Sequence, residues 1–182
     1  MDAFESIVAA ILESKGFWVR RSVRVTLVGD HKRKKSAPRT ELDIVAFCPQ
    51  TDELWVVECK SFLDSRGVKA AAFLEKGHRG AKRYKVFLEE KYWESVKCAL
   101  LSELDFTPER SPSVRLCLVA GKIAGRDLKQ LEEHFQKKGW ELRDPNWLRA
   151  GIQILAKRGY ENDVATMTAK LLINNAIELN AE

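Results

Sequence analysis

The sequence predicts an α/β domain, a central sheet flanked by helices, and three observations carry that expectation. Two apolar runs, residues 41–47 and 54–61, stand on either side of the polar turn "PQTDE", as the arms of a hairpin do. A third run, "SVRLCLVAG" at 113–121, is short, continuous and apolar, consistent with a buried strand. Before, between and after these runs the apolar residues recur at helical spacing.

In chain order, Phe4, Ile7, Val8, Ile11 and Leu12 form one helical stripe over residues 2–15, with Gly16 placed to end it. "FWVRRSVRVTLV", 17–28, is rich in β-branched residues and alternates in part, so it reads as a strand. "GDHKRKKSAPR" is polar and basic and holds Gly29 and Pro38, which makes it a loop. "ELDIVAF" and "LWVVECKS" are the second and third strands. "GVKAAAFLEK" and "GAKRYKVFLEEKYWESVKCALLSEL" read as two helices separated by "GHRG". After the strand at 113–121, "RDLKQLEEHFQKKG" is an amphipathic helix that ends on basic residues and Gly139, as its dipole favours. "WELRDP" reads as a short edge strand stopped by Pro145, and 147–179 as two helices broken near Gly159. The expected organisation is a core over 1–145 with a C-terminal helical extension, 146–182, packed on it.

Composition narrows the function classes. A chain of 182 residues buries roughly 70% of the surface its unfolded form exposes, enough for one core without staples. A hydrophobic content of 45% and five tryptophans exclude a disordered chain. Cys48, Cys59, Cys98 and Cys117 are scattered without a C-x-x-C pair, which argues against zinc and for reduced thiols in a cytoplasmic protein. "MDAFESIVAA" has two acids and no basic segment, unlike a signal peptide, and no apolar run is long enough to span a membrane. The net charge is +5, but residues 20–40 alone hold eight basic residues against one acid, Asp30. Such a concentration is a footprint for phosphate backbones, or else a solvated loop that aids solubility.

The chemistry is at the hairpin. Side chains alternate along a strand, so Glu58 and Lys60 share a face and Cys59 takes the other. Asp43 lies on the partner strand. Two carboxylates brought together at a sheet end repel unless a cation lies between them. Mg2+ suits such a pair, because it takes carboxylate oxygens, keeps several waters and accepts phosphate oxygens. A lysine beside it can orient the attacking water or stabilise developing charge. The bland alternative is a surface ion pair worth under about 1 kcal/mol. The apolar residues on both faces of "LWVV" oppose that alternative, since they indicate burial and buried charges need partners.

From these residues the chain resembles the PD-(D/E)xK, restriction-endonuclease-like nucleases, and among them most the archaeal Holliday junction resolvases. The resemblance runs over residues 4–62: "ESIVAAILESKGF", with Glu5 eleven residues before Gly16, then the basic "HKRKKSAPR", then "LDIVAF", then "VVECKS". It implies a restriction-endonuclease-like core with a mixed sheet and a Mg2+-dependent endodeoxyribonuclease, Mn2+ substituting. In that role Asp43, Glu58 and the backbone carbonyl of Cys59 would bind the metal, and Lys60 would act on the nucleophilic water. Glu5 would reach the same site from the first helix, with Glu41 behind the ligands. Without the resemblance, Glu5 is an ordinary acid in a helix's first turn, where the dipole favours it.

DNA is the implied partner, held by Lys32, Arg33, Lys34, Lys35 and Arg39, with Arg79, Lys82 and Arg83 as further phosphate contacts just downstream of the active strand. For the last three, a solvated basic helix face with Tyr84 partly in the core is the competing account. The resolvases are dimeric, so the resemblance implies a homodimer, and they are shorter, with no counterpart to residues 66–104 and 126–179. Two rival functions share the same core: a non-catalytic nucleic-acid-binding or assembly module, and a defence-type restriction nuclease.

Overall fold

The computed structural model describes residues 2–27 and 38–179. Five strands form one mixed sheet in the order β1 (Trp18–Thr26), β2 (Arg39–Cys48), β3 (Glu53–Lys60), β4 (Ser113–Ala120) and β5 (Glu141–Arg143). β2 pairs antiparallel with both β1 and β3, whereas β4 pairs with β3 in parallel and β5 with β4 in parallel. The parallel step needs a long crossover, and residues 61–112 provide it.

Alternation along the strands creates two cores. Val45, Leu54, Val56, Leu116 and Leu118 face a layer containing Phe73, Tyr84, Phe87, Leu100 and Phe135. Ile44, Trp55, Val57, Cys117 and Val119 face the helix α1 (Ala3–Ser14), joined by α6 (Pro145–Lys157) and α7 (Val164–Leu179). The strands buried on both faces are the continuous apolar runs of the sequence, as central strands of such sheets are. Asp2 caps α1 by accepting the N–H of Phe4 at 2.8 Å, and Asp144 caps α6 by accepting that of Trp147 at 2.9 Å. Pro145 therefore both ends β5 and opens α6 at a position that needs no donor. At Gly151 an added Cβ would lie 2.6 Å from the Ile11 side chain, so α1 and α6 cross at a close approach.

The crossover departs from expectation. Instead of two helices it contains α2 (Ala71–Leu74), a 3-10 stretch Arg79–Tyr84, α3 (Lys85–Leu88) and α4 (Glu90–Glu103). Glu89, extended at φ −110 and ψ 94, divides α3 from α4. Tertiary packing overrides helix propensity here, because Phe73, Tyr84 and Phe87 must all enter one core. The amphipathic helix α5 (Leu128–Lys138) ends as expected at Gly139, in the left-handed region at φ 69. Among the described residues no helix is long and apolar enough to cross a membrane.

Candidate active site

The site begins where two strands part. β2 and β3 pair from Cys48↔Glu53 to Ile44↔Val57, and beyond that point each keeps only its outer neighbour. β2 continues along β1 through Leu42 and Glu41, while β3 continues along β4 through Glu58, Cys59 and Lys60. A fork of this kind leaves backbone donors without ladder partners, and a buried N–H needs one. Asp43 supplies it: its Oδ2 accepts the N–H of Cys59 at 2.8 Å. The Asp43 carboxylate is thereby fixed against the peptide that follows Glu58.

Asp43, Glu58 and Lys60 share the sheet face of Val45 and Val56 by alternation. The Lys60 ammonium donates to Glu58 Oε1, and both side chains are mostly covered, with 20% and 25% of their surface exposed. Burial raises the Glu58 carboxyl above its ordinary range, Asp43 and Glu5 push it the same way, and Lys60 offsets only part of the rise. Glu5 stands in the first turn of α1, on the layer opposite. Its carboxyl is raised too, first by partial burial and then by the charge of Asp43. The fork thus brings acids of two strands and one of α1 within electrostatic reach. Cys59 contributes backbone only, since burial and then Asp43 hold its thiol far above the range in which it ionises.

The N-terminus of α1 is located by Gly121, at the end of β4. Its N–H donates to the Lys60 carbonyl at 2.8 Å. A Cβ there would lie 2.4 Å from the Ser61 carbonyl oxygen and 3.1 Å from the Phe4 ring, so only glycine fits between them.

Beyond Lys60 the chain turns through Phe62, a bulky residue in the left-handed region at φ 47. Here a cleft of about 460 Å³ opens, lined by Phe62, Arg66, Lys69, His78, Arg83 and Tyr84 among others. Tyr84 links cleft and fork. It is 2% exposed, and its hydroxyl is pushed up to about 12 by burial, with the Glu58 charge adding to the rise.

Glu5, Asp43, Glu58 and Lys60 come together. Glu41 does not join them: its Oε2 accepts from Arg24 Nε at 2.9 Å in an exposed pair between β1 and β2, which lowers its carboxyl. Arg39 is exposed at the start of β2, near Arg24 and Glu41. Arg79 and Arg83 line the cleft, whereas Lys82 is exposed outside its lining. Lys32, Arg33, Lys34 and Lys35 lie outside the described residues. Arg66 and Lys69 were missed by sequence reasoning. They sit in a turn whose placement depends on residues more than fifty positions away, as the Ala70 N–H bond to Asp127 Oδ2 shows.

The chemistry of the fork suits a hard divalent cation. Three carboxylates stand near one ammonium, and the charge of Asp43 adds to the rise that burial gives Glu5 and Glu58. Among the described residues no three His, Cys, Asp or Glu side chains form a metal-holding group by themselves. A cation here would rest on two carboxylates, a carbonyl and water, the manner in which Mg2+ binds.

No family model and no curated protein matches the chain. Among solved structures, the crystal structure of the protein of unknown function AF1548 is similar at 16% identity and a TM-score of 0.43, covering 96% of this chain and 95% of that one. That likeness is too distant to carry an inference.

Proposed function

We propose that the chain is a PD-(D/E)xK-type nuclease that hydrolyses phosphodiester bonds in DNA with a divalent cation. The observation that carries this reading is the fork itself, where Asp43, Glu58, Lys60 and Glu5 gather as strands β2 and β3 part. Asp43, Glu58 and the Cys59 carbonyl would hold Mg2+ or Mn2+. Such an ion supplies charge neutralisation at phosphate oxygens and easier ionisation of water.

The chain's own groups then divide the work. Asp43 is held in place by the Cys59 N–H, so its free oxygen keeps a fixed position. Lys60 orients water and stabilises the charge that builds on phosphorus oxygens. Water oxygen bonds to phosphorus as the bond to the leaving sugar oxygen breaks. The water proton passes to solvent, and the leaving oxygen is protonated in its turn. Arg79 and Arg83, in the adjoining cleft, attract the phosphate chain. DNA, rather than RNA, comes from the resemblance over residues 4–62.

The test is cleavage of branched, linear and single-stranded DNA in Mg2+ or Mn2+ by the parent, Asp43→Ala and Lys60→Ala. The expected result is cation-dependent cutting that falls at least about a hundredfold in either variant. If the parent binds DNA and cuts none of the three substrates, the nuclease reading is wrong.

A further inference from the structure

The cleft beside the fork is lined by four cations, Arg66, Lys69, Arg79 and Arg83, together with His78, and by no carboxylate. Among the described residues none of the four cations forms an ion pair. Like charges crowded around one cavity repel unless an anion sits among them. The walls are nevertheless held firmly. The Val68 N–H donates to the Lys122 carbonyl at 2.9 Å, the Ala124 N–H to the Val68 carbonyl at 2.8 Å, and the Gly80 N–H to His78 Nδ1 at 3.0 Å. Phe62 holds a strained φ of 47, and the Arg83 guanidinium lies 5.5 Å from its ring.

We propose that this cleft seats a phosphorylated strand end, a terminal phosphomonoester with its first nucleotide. The proposal rests on the nuclease reading and names the substrate of that same site. A phosphomonoester carries a charge of about −1.5 to −2, more than the single charge of a backbone diester, and so answers a convergent set of cations better. The volume, about 460 Å³, falls within the range of pockets for small ligands, roughly 300–1,000 Å³. Contacts to a long duplex backbone would instead be strung along a surface. Phe62, half-buried at the cleft wall, offers aromatic surface to the base, as single-strand sites do. Phe62 follows Lys60 by two residues, at most ~7 Å of chain, so the cleft adjoins the fork. A strand held by its end in the cleft therefore presents a bond close to that end to the fork, and the activity is end trimming.

The experiment is fluorescence anisotropy in EDTA with short single strands bearing a 5′-phosphate, a 3′-phosphate or neither. The parent is compared with the double variants Arg66→Gln/Arg83→Gln and Arg66→Lys/Arg83→Lys, each checked for an unchanged melting temperature. One phosphorylated end is expected to bind about tenfold more tightly than the bare strand. Millimolar inorganic phosphate should remove that gain, the Gln pair should abolish it, and the Lys pair should retain most of it. Equal affinity for the three strands, or a preference that survives in the Gln pair, overturns the proposal. The assay needs no cleavage. DNA cutting without an end preference sinks the cleft and spares the nuclease, while an end preference without cutting does the opposite.

Discussion

Glu5 occupies a position that elementary electrostatics disfavours, one carboxylate too many beside Asp43 and Glu58. Its carboxyl rises on folding from its ordinary value of 4.5, through partial burial first and the charge of Asp43 second. A group raised on folding adds stability in full below its unfolded value, and that stability is lost as pH rises through the folded value. Glu5→Gln resembles the neutral form, so in EDTA at pH 7 its melting temperature should exceed the parent's by about 1–3 °C. The gap should close as the pH falls below 4.5. Melting curves across that range check the sign, and a lower melting temperature for Glu5→Gln at pH 7 would contradict it. The pairing of Glu58 with Lys60 was legible in the sequence, because alternation along a strand puts the two on one face. Glu5 was not legible by itself, since an acid in a helix's first turn is what the dipole favours in any helix.

At the level of elements, the sheet was the readable part. β-branched runs and the "PQTDE" turn predict the hairpin, and the hairpin places Asp43 near Glu58. What the runs do not reveal is the parting of β2 from β3, which depends on each strand keeping its outer partner. The crossover was least legible. Residues 71–88 have helical composition but break into short pieces, because Phe73, Tyr84 and Phe87 pack into one aromatic group. The cationic cleft arises from that same fracture, so Arg66 and Lys69 could not be found from spacing. The junction of layers has its own test in Gly121, where a Cβ would strike the Ser61 carbonyl oxygen at 2.4 Å. Gly121→Ala should cost about 1–3 kcal/mol in urea unfolding, the range of overpacked sites. It should also lower DNA cleavage, by displacing Phe4 and with it Glu5. Unchanged stability would show that the close approach is not a constraint.

Across the whole molecule, two layers of helices cover the sheet, and α1, α6 and α7 make up one of them. The acids at the fork come from β2, β3 and α1, and among the described residues the cations that line the cleft form no ion pair. Apart from the Lys60–Glu58 pair, the acids gather at the fork and the cations at the cleft. The central claim is that the fork binds the cation and that Lys60 acts in a separate, chemical role. Mn2+ titration by calorimetry tests it most directly, with the parent, Asp43→Asn and Lys60→Met compared under one set of conditions. The account predicts that the parent binds Mn2+, that Asp43→Asn weakens binding at least about tenfold, and that Lys60→Met binds as well as the parent or better while failing to cut DNA. Mn2+ binding of equal strength in the parent and Asp43→Asn would contradict it.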